Sequence, residues 1–194
     1  SARLVIGTPL TCAATPTGQC AVNLAALRTR DGTATVAASA EGNFDGSGWS
    51  YDAALLPAAG PVTWGGVTYD APDPAGTAKN FVGADGSPML LPGGSFSRAN
   101  LVLTSHNGPV GGGVTIGYTD GTTAPASLTV PDWCATSSTA VLAMPHRIKA
   151  GQGVDGPPVS LFGVTVPLAA GKTIRSLTLP NDTRIQLYAL TLSG

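Results

Sequence analysis

Apolar and polar residues alternate in short runs along this chain, and clusters of turn-forming residues separate the runs. Val114, Ile116 and Tyr118 fall on one side of an extended segment, with Thr115 and Gly117 on the other. That period of two belongs to a half-buried strand. The same reading predicts strands over Thr33–Ala38, Val62–Tyr69, Leu101–Thr104, Val114–Tyr118, Ser127–Val130, Ser160–Val166, Thr173–Leu179 and Ile185–Leu192. In the last of these Ile185, Leu187, Ala189 and Thr191 oppose Gln186, Tyr188, Leu190 and Leu192, so both sides are expected to be buried. Helical periodicity is confined to Ala21–Leu27, with a single turn at Asp52–Leu56. Gly171-Lys172 reads as a hairpin turn, and the stretch from Ala135 to Pro158 reads as irregular. Short strands with turns between them predict an all-β fold, an antiparallel β-sandwich or jelly roll.

Composition agrees with that pattern. Charged residues are 11% of the 194, against roughly 25% in ordinary globular chains. Gly (26) and Pro (16) are abundant, yet 43% of the chain is hydrophobic, which argues for frequent turns and against disorder. The net charge of −1 shows no basic stripe, so neither nucleic acid nor an anionic membrane is an expected partner. No apolar run approaches the roughly 18 residues of a membrane span. The chain opens Ser1-Ala2-Arg3 without an initiator Met and is expected to be a mature fragment or an excised domain. Residues 1–20 carry Thr8-Pro9, Thr15-Pro16-Thr17-Gly18 and two cysteines; they read as a linker or the tail of a preceding domain, with the sandwich over 21–194. Cys12 and Cys20 are spaced for a local disulfide, and Cys134 could pair with either. Low Lys with much Ala, Gly, Thr and Pro suits a secreted protein of a GC-rich bacterium.

The candidate chemistry gathers at two matched segments. Asn43-Phe44-Asp45-Gly46-Ser47-Gly48-Trp49-Ser50-Tyr51 sets a glycine-centred turn beside aromatics and a carboxylate. Tyr118-Thr119-Asp120-Gly121-Thr122-Thr123, with Pro131-Asp132-Trp133 soon after, does the same. An Asp-Gly pair between β-formers is a hairpin signal, since Gly takes positive φ without a Cβ clash. Catalysis finds little support: the chain holds one Glu and ten Asp, and most of the Asp sit in Asp-Gly or Asp-Pro turns. A small glycosidase using Asp pairs with His106 or His146 needs two carboxylates about 5–9.5 Å apart in a cleft. Gly93-Gly94-Ser95-Phe96-Ser97 lacks the final glycine of a nucleophile elbow, and Gly171-Lys172-Thr173 lacks the first glycine of a phosphate loop.

From about Val22 onward the order of motifs resembles a galactose-binding-like, jelly-roll accessory domain of secreted actinobacterial glycoside hydrolases. The carriers begin with Asn23-Leu24, Arg30-Asp31-Gly32 and the segment Asn43–Tyr51, and continue through Leu56-Pro57, Gly66–Tyr69 and Lys79–Val82. Later ones are Thr115–Thr123, Pro131–Trp133, Val164–Leu168 and Ser176–Pro180. The resemblance implies a non-catalytic module that binds glycan or packs against a catalytic domain of the same parent chain. It also implies one structural calcium ion near the start, for which Asp31, Asp45 and Asp182 are the candidate ligands. Where such domains carry an Asn-Asp-Gly type of turn, this chain has Thr29-Arg30-Asp31-Gly32.

Rings and hydroxyl-bonding side chains would grip a polysaccharide. Trp49, Tyr51, His106, Asn107, Asp132, Trp133, His146 and Arg147 are the candidates. Each also has a plainer reading. Asn107-Gly108 makes a turn; Arg147 is an exposed loop charge or an internal bridge that holds its loop; Trp133 is either a structural anchor or the floor of a cleft beside Asp132.

Overall fold

The computed structural model describes residues 7–13 and 15–194. The segment 1–20, expected as a linker or tail, therefore falls partly outside the described residues. Among the described residues strands dominate, and they form one seven-stranded sheet, two four-stranded sheets and a two-stranded hairpin. Among the described residues no helix is long and apolar enough to cross a membrane.

The seven-stranded sheet organises the rest. Its order is Cys12–Ala13, Gln19–Val22, Asn181–Ser193, Arg98–Ser105, Val159–Pro167, Ala140–Met144, with Val82–Asp85 also paired to Asn181–Ser193. All these pairings are antiparallel. Both faces of this sheet are covered. Leu101 and Leu103 face one core, together with Val114, Ile116, Tyr118 and Leu177 from the sheet Thr123–Val130, Val110–Tyr118, Ile174–Thr178, Pro88–Leu90. Val102, between them, faces a second core with Phe44, Tyr51, Tyr69, Phe81, Trp133, Leu161 and Tyr188. A strand buried on two sides loses its alternation and reads as a continuous apolar run.

Most expected strands lie inside observed ones and Thr173–Leu179 overruns Ile174–Thr178 by one residue at each end, with instructive exceptions. Val62–Tyr69 is not one strand: Gly60–Trp64 and Val67–Ala71 form a hairpin around Gly65 and Gly66, both at positive φ (57° and 78°). Thr33–Ala38 is a strand only over Thr33–Ala34, because the chain turns from Thr35 onward. Ala21–Leu27 divides into the end of strand Gln19–Val22 and one 3-10 turn, Ala25–Leu27. The expected turn after Asp52 is present as Ala53–Leu55, capped by the Asp52 carboxylate accepting from the Ala54 amide at 2.9 Å. The stretch read as irregular holds three strands, Ala140–Met144, Arg147–Lys149 and Gly153–Asp155.

Cys12 and Cys20 form a disulfide across a separation of 8 residues, and Cys134 is the free thiol. The bridge ties the edge strand Cys12–Ala13 to its neighbour. Replacing both cysteines with alanine should cost about 2.5 kcal/mol, the loop-closure value for so short a ring. Chemical denaturation of the double variant checks this: an unchanged midpoint would mean that pairing along the edge already restrains the unbridged chain.

Candidate functional site

The first matched segment builds a tight loop. Asn43 Oδ1 accepts from the Gly48 amide (2.9 Å), and Asp45 Oδ1 accepts from the Ser47 and Trp49 amides (2.8 and 3.2 Å). Gly46 and Gly48 supply positive φ, 83° and 90°. The Phe44 amide then donates to Trp49 O at 2.8 Å, which closes the loop and drives the Phe44 ring inward. Phe44 becomes a hub: its ring centroid lies 4.7 Å from Trp133, 4.9 Å from Tyr51, 5.1 Å from Phe81 and 5.5 Å from His106.

Three of the expected carbohydrate contacts thus come together, but inside the protein. Tyr51 is 0% exposed, Trp133 3% and His106 6%, so none offers an open ring face. The Tyr51 hydroxyl donates to Ser160 O (2.8 Å) and lies 3.2 Å from the Thr104 hydroxyl; burial pushes it well above the usual phenol value. Trp133 follows the anchor reading, with its amide donating to Ser105 O (2.8 Å) and its ring against Phe44. Asp132 staples two loops, accepting from the Gly108 amide through Oδ2 (2.8 Å) and from the Cys134 amide through Oδ1 (2.9 Å). Asn107 is exposed, in a left-handed turn residue's conformation (φ 59°), with Nδ2 3.0 Å from His106 Nδ1.

A second group lies at the edge of this cluster. Strands Gly153–Asp155, Arg147–Lys149, Trp49–Asp52 and Thr33–Ala34 form one sheet, the last two parallel. Register sets Trp49 beside Lys149, and Arg147 beside Asp155. Trp49 is half-buried; Lys149 Nζ lies 3.1 Å from its ring centroid and the Arg147 guanidinium 4.9 Å. Asp155 Oδ2 accepts from Trp49 Nε1 (2.9 Å) and Arg147 Nε (2.8 Å). The Arg147 bond, above all, holds the Asp155 carboxyl below its ordinary range. Arg147 Nη1 reaches Cys134 Sγ at 3.5 Å; burial raises that thiol's pKa against the opposing pull of Arg147. His146 Nε2 pairs with Asp52 Oδ2 at 2.8 Å. Phe44, Lys149 and Asp155 were not among the sequence candidates. Lys149 and Asp155 had a signal, spacings of two and eight from Arg147, which only acquires meaning once this stretch is seen as strands.

The carboxylates are mostly spent on turns. Asp45, Asp52, Asp73, Asp85, Asp120, Asp132 and Asp182 each accept from the amide two residues on. Asp120 also pairs with Lys172 (3.0 Å), and its bonds to Thr122 hold it at about 2. As for calcium, Asp31 Oδ1 lies 3.3 Å from the Thr33 amide, while Oδ2 is buried and unpartnered. Among the described residues no group of three or more His, Cys, Asp or Glu comes together, so the fit to a cation rests on that single Asp31 oxygen.

Burial lowers the pKa of His106, and the nearby Arg30 and Arg184 add to that, against Asp45 and Asp132. The folded state therefore prefers the neutral ring. The stabilisation is complete above the unfolded value of about 6.5 and is lost as pH falls below it through the folded value. Melting temperature should drop between pH 7.5 and pH 5 in the parent and drop less in His106→Gln; equal slopes would remove His106 as the cause.

A family model described as an AziU2-like β-sandwich domain matches residues 19–194. No curated protein matches the chain. A solved structure, the carbohydrate-binding module CBM6cm-2 of Cellvibrio mixtus lichenase 5A in complex with cellotriose, is 17% identical; the match covers 59% of this chain and 70% of that one, with a TM-score of 0.28.

Proposed function

We infer that this chain, which belongs to the AziU2-like β-sandwich domain family, is a non-catalytic module that binds carbohydrate at the Trp49 face. The observation that supports it is the grouping of a half-buried indole with Arg147, Lys149 and Asp155 on one sheet surface. An indole for the sugar's apolar C–H groups and charged donors and acceptors for its hydroxyls are what a shallow saccharide site needs. The module would be secreted and carried by a glycan-active enzyme, where it raises the local concentration of substrate. The engagement of so many carboxylates by turn amides favours binding over hydrolysis. Calcium at Asp31 belongs to the same reading, and a chelator that leaves the melting temperature unmoved would remove it.

The test is calorimetry against neutral and acidic plant, fungal and bacterial polysaccharides. At least one should bind, and Trp49→Ala should weaken it about tenfold or more, the worth of one ring contact. A second reading, a module that only packs on a neighbouring domain, draws on the burial of Tyr51, Trp133 and His106 and on the cover that Lys149 gives Trp49. Absence of binding to every glycan selects it.

A further inference from the structure

Lys149 occupies the place on the Trp49 face that a sugar would take. Its Nζ lies 3.1 Å from the indole centroid and donates to Ser47 O, also at 3.1 Å. Cross-strand register with Trp49 sets it there. Among the described residues no carboxylate pairs with Lys149, so a ring face and one carbonyl oxygen hold its charge. Arg147 lies against the same indole and against Trp133, 4.9 and 5.4 Å from the two centroids. It spends Nε on Asp155 and Nη1 on Cys134 Sγ, while Nη2 is, among the described residues, neither bonded nor buried. Asp155 is committed, since its Oδ2 accepts from both Arg147 and the indole. Asp45, in the loop before Trp49, is offset by Arg30, whose guanidinium donates to Phe44 O. Two cations thus meet one carboxylate at Trp49, and a positive charge is left over.

An ammonium rests on an indole because the ring face is electron-rich, and at an exposed site the contact is weak. A neutral sugar that stacks there must displace the ammonium and offers it only hydroxyls. A carboxylate offers it a charge-assisted bond, roughly twice as strong as a neutral one. We propose that the Trp49 face selects acidic glycans, those bearing a uronic acid: the carboxylate draws Lys149 off the ring, and the freed indole receives the sugar's C–H groups. Arg147, held by Asp155 and by two rings, keeps Nη2 as a fixed donor for the same sugar residue. Lys149 is then a selective cover, opened by the ligand's own charge. The selection rests on the carbohydrate reading of the Trp49 face and gives that face its substrate class.

The experiment compares matched polysaccharides by calorimetry on the full chain at constant ionic strength. Polygalacturonate is set against its methyl ester, and hyaluronan and alginate each against the carboxyl-reduced polymer. In at least one pair the acidic member should bind about tenfold or more tighter than its neutral twin. Lys149→Ala should weaken the acidic ligand and strengthen the neutral one about two- to fivefold, the worth of an exposed cation on a ring. Lys149→Arg should keep the preference. Lys172→Ala, which removes an equal charge from the Asp120 turn, should leave it unchanged. Twins that bind alike and fail alike on Trp49→Ala would overturn the acid selection and leave Trp49 a sugar site. A preference that survives Lys149→Ala, or an equal loss in Lys172→Ala, would do the same. Absence of binding by every glycan, acidic or neutral, removes both readings together.

Discussion

Replacing Phe44 with alanine will cost the fold about 3–5 kcal/mol, the range for removing a fully buried aromatic. The ring is 0% exposed and touches Tyr51, Phe81, Trp133 and His106, so its loss leaves a cavity walled by rigid rings that cannot close over it. The effect should spread beyond stability. Trp133 and Tyr51 would gain freedom, and the loop carrying Trp49 would lose the anchor that Phe44 gives it. Urea denaturation and tryptophan emission check both points. A midpoint shift worth under about 1 kcal/mol would show that the surrounding loops collapse into the space, as sites that relax well do.

Gly42→Ala should be nearly as damaging, about 3 kcal/mol or more, at the upper end for overpacking. A Cβ at Gly42 would stand 1.9 Å from the carbonyl oxygen of Thr33 and 2.8 Å from Ser50 Oγ. The first contact is with backbone, so no rotamer relieves it. The chain must also hold its course here, because the next residue's amide donates to Asp31 O at 3.0 Å and the residue after that is Phe44. The parallel pair Thr33–Ala34 with Tyr51–Asp52 lies under the same crossing. The variant should melt lower and weaken any ligand at Trp49 in parallel. A variant as stable as the parent would mean that the loop around Gly42 moves freely away from Thr33.

Where a strand had one wet face, its residues announced it. Val114, Ile116 and Tyr118 are buried while Thr115 is exposed, and the Asp120-Gly121 turn joins that strand to the next in the expected place. The last strand was legible as doubly buried but not in its sides. Alternation puts Leu187 and Ala189 together, whereas the slip at Tyr188 sends Leu187 to one core and Tyr188 and Ala189 to the other. A bulge is an extra residue, and nothing local in the sequence marks it. The strands between residues 140 and 155 are three to five residues long, too short to establish a period. At the site, Tyr51, Trp133 and His106, chosen by residue type as carbohydrate contacts, all pack around Phe44. Whether they face water depends on the Asn43–Trp49 loop folding over them, a contact between distant parts of the chain. Phe44 escaped notice for the same reason, since only its four ring partners reveal its role.

The strand Asn181–Ser193 pairs with Gln19–Val22, Val82–Asp85 and Arg98–Ser105. It is made after all three of these partners and sits in the middle of the sheet. On a ribosome, the earlier strands must wait for it with their hydrogen-bonding edges open and apolar surface uncovered on both sides. Non-local closure of this kind is slow. Productive folding should therefore begin only when residues 181–193 have left the exit tunnel, and a stalled shorter chain would be a client for chaperones.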